Sequence, residues 1–199
     1  MLYPVELRDP SSFHNSIGGK MSSDRIAMCL LLSFGIGCSK PETMPVISQV
    51  DISKMEGSWI EIARMPIFAQ KISEYGWQDH YKLQADGTIL VTGSYRKGGP
   101  QGPWKYIYGR ARIPNSQEPG KWSVQFIWPF TADQWIVDLD ANYQWVFFGH
   151  PNRKWLWIMS RSGSIDPEIL KSLIAKASSL GYDTSQIIFS TPWNEIAPR

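Results

Sequence analysis

From Ser58 onward apolar and polar residues alternate with a period of two, which predicts half-buried antiparallel strands. The alternation marks eight strands, over 58–64, 75–83, 89–95, 105–113, 122–127, 134–140, 143–149 and 155–160. Turn chemistry separates them: Asp86-Gly87, Gly98-Gly99-Pro100, Pro114-Asn115, Pro119-Gly120, Thr131-Ala132-Asp133, Asp140-Ala141-Asn142 and Pro151-Asn152. The period then changes to 3.6. Asp166 suits an N-cap, Pro167 the first helical position and Gly181 the stop, which predicts a helix over 167–180. Its apolar stripe of Ile169, Leu170, Leu173, Ile174, Ala177 and Leu180 must pack against something. Ile187-Ile188-Phe189 reads as a short strand returning to the sheet edge. Eight short, evenly spaced strands fit a sandwich or an up-and-down barrel, and the pattern does not separate the two.

The first fifty residues follow another pattern. Met21-Ser22-Ser23-Asp24-Arg25, the apolar run Ile26 to Ile36 and Gly37-Cys38 have the layout of a secretion signal, leaving residues 1–20 ahead of a plausible start at Met21. The apolar run is too short to cross a bilayer as a helix. Ser39 to Val50, with Pro41 and Pro45, has the composition of a flexible tether. The domain division is therefore 1–37 leader and signal, 38–50 Cys38 and tether, and 51–199 folded domain.

Composition sharpens this picture in two ways. All ten tryptophans lie at or after Trp59, so large rigid rings are concentrated in the folded part, where they fill a core or line a pocket. Net charge is +2 with no basic run, which indicates neither nucleic-acid binding nor electrostatic docking on a membrane. The cysteines are Cys29, inside the leader, and Cys38, so the folded domain over 51–199 contains no cysteine and no disulfide.

Catalytic patterns are missing from the sequence. His14, His80 and His150 are isolated from one another and from any cysteine pair at ligand spacing, so no metal or other cofactor is expected. There is no nucleophile elbow, and the Gly-rich stretch Gly98 to Pro103 lies between strands rather than before a helix, where a phosphate would bind. Asp138 and Asp140 could pose as paired carboxylates, but Asp140 sits in a turn. No catalytic residue is expected.

The frame Gly57-x-Trp59, then Asp140-Ala141-Asn142-Tyr143, then Ser160-Arg161, a capped helix and a final short strand resembles the lipocalin family over roughly residues 50–190. Trp59-Ile60-Glu61-Ile62-Ala63-Arg64, Gly149-His150-Pro151 and Leu156-Trp157-Ile158-Met159-Ser160-Arg161 look closest to the bacterial lipocalins anchored in the outer membrane. The resemblance implies an all-β fold: an eight-stranded antiparallel up-and-down barrel with one C-terminal α-helix packed outside. It implies structural roles for Gly57, Trp59, Asp140, Tyr143 and Arg161, with the guanidinium laid across the indole at the closed end. Gly35, Gly37 and Cys38 resemble a bacterial lipobox, which implies acylation at Cys38 (palmitate among the chains); ordinary secretory cleavage nearby is the alternative. Ser39 after the cysteine implies the outer membrane, on the periplasmic side.

An eight-stranded barrel holds one small ligand if its inward side chains leave the centre open. With Trp59 taken as inward, Glu61 and Ala63 point in, and the buried carboxylate of Glu61 requires a partner such as a Tyr hydroxyl or an Arg. Aromatic rows on the other strands nominate Trp77, Tyr95, Tyr106, Tyr108, Phe126, Trp128, Trp135, Trp145 and Phe147 as ligand-binding, with Phe68 on an apolar loop at the mouth. The expected partners are a fatty acid or lysophospholipid, transported or bound in the barrel, and a membrane through the anchor; the chain is expected to be a monomer or homodimer. Two alternatives remain: an envelope interaction or maintenance protein with a filled barrel, and an enzyme acting on a lipophilic substrate.

Overall fold

The computed structural model describes residues 43–196; Cys38 and the leader lie outside the described residues. Eight strands form the barrel: β1 (Gly57–Arg64), β2 (Glu74–Leu83), β3 (Ile89–Lys97), β4 (Trp104–Arg112), β5 (Lys121–Ile127), β6 (Phe130–Leu139), β7 (Trp145–Gly149) and β8 (Leu156–Ser160). Each pairs antiparallel with the next, and β1 closes the cylinder by pairing with both β8 and β2. A ninth strand, β9 (Ile188–Phe189), pairs with β1 at Ala63 and Arg64, beyond the point where β1 leaves β2. The eight-stranded barrel read from the sequence is the fold observed.

The strand boundaries moved most at β6, which starts at Phe130 rather than 134. Thr131-Ala132-Asp133, expected as a turn, is strand instead: Ala132 and Asp133 pair with Val124 and Ser123. The reversal falls earlier, at Trp128-Pro129, across a cis peptide bond. Beta7 starts later than expected, because Asp140 organises residues 140–144 as a turn: its Oδ2 accepts from the backbone N–H of Asn142 and Gln144, and Tyr143 adopts a left-handed φ of 58°.

Helix α1 (Pro167–Ser179) is capped by Asp166, whose carboxylate accepts from the N–H of Glu168 and Ile169. Leu173 and Ala177 are fully packed against Ala63, Val137, Phe147, Leu156 and Ile158 on the outer wall. Lys176 reaches Asp138 of β6 at 2.7 Å, so that carboxylate is tied to the helix. A four-residue helix, α2 (Trp193–Ile196), lies against the barrel at Gly76, where Ile196 occupies the space a Cβ would need.

Two cores result. Inside the barrel, Trp59, Tyr81, Trp122, Phe148, Met55 and Met159 fill the closed end. Outside it, the α1 stripe covers the β1, β6, β7 and β8 wall. Strand directions place the connections 84–88, 113–120 and 140–144 at the closed end, and 65–73, 98–103, 127–130 and 150–155 at the open one.

Candidate functional site

The floor comes first, because it sets the depth of the lumen. Met55 ends a 3-10 turn (Ile52–Met55) and its carbonyl accepts from the Trp59 indole N–H at 2.9 Å. Arg161 stacks on the other side of that indole, 3.8 Å from the ring centre. Tyr81, Trp122 and Phe148 meet edge to face or tilted directly above, with centroids 5.3–6.4 Å apart. This half of the barrel is solid.

Above it the wall changes character. Beta3 and β4 pair without a bulge, so Ile89, Val91, Gly93 and Tyr95 share the inner face with Ala111, Gly109, Ile107 and Lys105. Trp77 stacks on Tyr95 at 4.3 Å. Its indole N–H is buried and without a partner, the kind of group that water or a ligand oxygen satisfies. Phe126 covers Gly109 so closely that a Cβ there would lie 2.6 Å from the ring. Trp157 faces Phe148 across β7 and β8 and belongs to the same interior.

Polar groups are few and mutually engaged. Asp79 is paired with Gly93 across the strands and accepts from the Tyr81 hydroxyl at 3.1 Å. Burial pushes its pKa up to about 7, with the nearby Glu61 adding to the rise and the Tyr81 hydrogen bond opposing it. Glu61 has the partner its burial demands: Arg64 lies 3.4 Å away, and the Ser190 hydroxyl and Gln70 amide donate to its two oxygens. Burial still raises its pKa above the ordinary carboxylate value, against the pull of those three. Gln70, on the 65–73 loop, also accepts from the Trp157 indole at 3.0 Å, which fastens the loop to the inside of the barrel.

The ten nominated ligand-binding residues separate into groups. Trp77, Tyr95 and Phe126 line the upper lumen. Phe68 and Trp128 stand at the mouth but face solvent. Tyr106 and Tyr108 point outward, 56% and 71% exposed, because Ile107 takes the inner position. Trp135, Trp145 and Phe147 lie under α1 on the outside, and Val146 and Phe148 take the interior instead. Ala63 likewise faces α1: a bulge at Ile62 turns Ala63 out and leaves Arg64 buried beside Glu61. Asp79 shares the inward row of Trp77, as the alternation of β2 expects, but is not among the nominated ligand-binding residues; Ile107 and Trp157 lie in the lumen and outside the aromatic rows. Among the described residues, no group of three His, Cys, Asp or Glu side chains comes together to hold a metal ion.

A family profile described as a lipocalin-like domain matches residues 50–192. Temperature-induced lipocalin-1 of Arabidopsis thaliana is 32% identical over 170 residues, which cover 81% of this chain and 89% of the plant protein. Outer membrane lipoprotein Blc of Vibrio cholerae is 30% identical over 157 residues, covering 77% and 90%. Among solved structures, insecticyanin of the tobacco hornworm Manduca sexta superposes with a TM-score of 0.60 at 22% identity, over 76% of this chain and 85% of that one. Lipocalins are in general carriers of small hydrophobic ligands. With the closed barrel, the Trp59–Arg161 floor and the profile match in agreement, the chain belongs to the lipocalin family.

Proposed function

We propose that this protein binds a fatty acid or lysophospholipid in the upper half of its barrel and carries it at the periplasmic face of the outer membrane. The observation that carries the reading is the contrast between the two halves. A packed aromatic floor lies below Trp77, Tyr95, Phe126 and Trp157, whose side chains face the barrel axis in its upper half, where the Trp77 indole donor has no partner. An acyl chain entering that space leaves water and gains about 0.8 kcal/mol per buried methylene. Asp79 tolerates it, because a carboxyl that titrates near 7 sheds its charge easily. Glu61 is engaged by Arg64, Gln70 and Ser190 and Asp79 by Tyr81, so neither offers a partner to an anionic head group, and the ligand enters tail first with its head at the mouth.

Placement at the outer membrane is supported by the lipobox-like Gly35, Gly37 and Cys38 and by the bacterial relatives that are outer membrane lipoproteins. The stacked Trp77–Tyr95 pair favours a second reading, a filled barrel that serves as an envelope interaction protein.

One experiment separates these readings. The purified protein is extracted with organic solvent, the extract is identified by mass spectrometry, and the stripped protein is titrated with a fatty acid and a lysophospholipid while Trp fluorescence is followed. Co-purified lipid and saturable quenching are expected; an empty extract with no quenching leaves the filled barrel. For the anchor, the amino-terminal peptide of membrane-extracted protein should begin with acylated Cys38. An unmodified Cys38 inside a longer peptide would defeat that part.

A further inference from the structure

The net charge of the whole chain hides a separation between the two ends of the barrel. The loops at the open end, 65–73, 98–103, 127–130 and 150–155, contain Lys71, Arg153 and Lys154 and no carboxylate. The closed end carries Asp51, Glu56, Asp86, Glu118, Asp140 and Asp166 against Lys54, Arg112, Lys121 and Arg161. Exposed apolar side chains divide in the same way. Apart from Tyr106 and Tyr108 on the wall, Phe126 over Gly109 on the lumen side and Phe189 on β9, every large exposed hydrophobic residue described stands at the mouth. The β5–β6 hairpin tip presents Ile127, Trp128 (83% exposed) and Phe130 (73%), and the 65–73 loop presents Phe68 (90%) and Ile72.

Soluble domains seldom leave such a cluster facing water. Apolar tips that enter the acyl boundary, flanked by Lys71, Lys97, Lys105 and Lys154 against the two carboxylates Glu74 and Glu195, fit an anionic phospholipid surface. The opposite charge of the floor orients the molecule in the same sense.

The path of the amino-terminal segment agrees. Met44 lies beside Gly149 and within 3.9 Å of the Tyr182 hydroxyl, at the mouth end of β7. From there the chain descends past Ile136 and Gly120 to Met55 at the floor.

We infer that the mouth of the barrel is a docking surface for an anionic phospholipid bilayer, with Ile127, Trp128, Phe130 and Phe68 inserted and Lys71 and Lys154 at the head groups. The docking surface consists of described residues and stands whether or not Cys38 is acylated; it goes beyond the carrier reading in placing the ligand's entry directly over its source.

The test uses the full chain carrying Cys38→Ser, with vesicles of phosphatidylcholine alone or with one third phosphatidylglycerol, their acyl chains brominated. The leader holds no tryptophan, so its own adsorption leaves the signal clean. Expected are a blue shift and bromine quenching that drop when Trp128→Phe removes the reporter. Partitioning onto the anionic vesicles should be at least tenfold tighter than onto phosphatidylcholine and should fall tenfold or more in the double variant Ile127→Ser, Phe130→Ser. Both positions are exposed, and an unchanged Tm confirms that the double variant folds. Quenching that survives Trp128→Phe and the double variant comes from lumenal tryptophans; it would overturn the docking surface and leave the carrier reading intact. Absence of any vesicle-dependent change in Trp128 emission would also overturn it.

Discussion

Arg161 and Trp59 form the keystone of the closed end: the guanidinium lies 3.8 Å from the indole centre and donates to the carbonyls of Ser58 and Lys54 at 2.9 and 2.6 Å and of Tyr143 at 3.3 Å. One side chain thus joins β1, the 3-10 turn before it and the β6–β7 turn. Gly57, with φ of 91°, leaves the room: a Cβ there would meet the guanidinium at 3.3 Å. The stack is worth about 0.5–2 kcal/mol and each hydrogen bond about 1 kcal/mol. Arg161→Ala is expected to cost about 2–4 kcal/mol in urea unfolding, while ligand affinity, measured well below the midpoint, stays within twofold.

Asp79 makes stability depend on pH. Its folded pKa of about 7 lies above the ordinary value of 3.8, so between those two the folded state holds the proton that the unfolded state has lost. Stability therefore falls as pH rises from about 4 through 7 and levels off above. Asp79→Asn keeps an acceptor for the Tyr81 hydroxyl and removes the titration. The variant should melt about 4 °C or more above the parent at pH 8, by less at pH 5, and close to it below about pH 4. Equal melting points at pH 8 would show that Asp79 is not held in a desolvated site. Fatty-acid affinity should fall across the same range in the parent and stay flat in the variant.

The inner and outer faces predict opposite phenotypes. Trp77→Ala removes the stacking partner of Tyr95 and part of the lumen wall, and ligand affinity by fluorescence titration should fall about tenfold. Phe147→Ala empties a fully buried position under α1, with an expected loss of about 3–5 kcal/mol in stability and unchanged affinity per folded molecule. Tyr108→Ser, on the exposed wall, should alter neither. A loss of affinity in Tyr108→Ser alone would reverse the assigned phase of β4.

Gln70 spans the gap between the 65–73 loop and the interior, donating to Glu61 and accepting from Trp157. Gln70→Ala releases both bonds and leaves Glu61 with Arg64 and Ser190. Ligand dissociation, followed by stopped-flow displacement, is expected to quicken severalfold with a change in Tm under about 3 °C. An unchanged off-rate would mean that the loop does not gate the mouth.

The sequence by itself determined the order of strands and helix, and the family resemblance chose a barrel over a sandwich. Period-two alternation, the turn residues, the Asp166-Pro167 start and the Gly181 stop are local signals, each expressing a backbone preference that needs no distant partner. The floor was legible too, through the resemblance to lipocalins carried by Gly57, Trp59, Asp140 and Arg161. Tertiary structure alone decided which face of each strand is inside. Beta7 is covered on both sides, by the lumen and by α1, so Trp145 to Phe148 is apolar throughout and carries no phase. Bulges at Ile62 and Val137 reverse the parity within β1 and β6, and one extra residue moves every later side chain to the other face. Beta4 misled in the other direction: Tyr106 and Tyr108 suit an uncovered outer wall, while the lumen requires only Ile107 and Gly109. The polarity of the two ends was equally beyond the linear sequence. Its charges interleave along the chain, and antiparallel folding sends alternate connections to opposite ends, leaving an excess of carboxylates at the floor and an excess of cations with the apolar tips at the mouth.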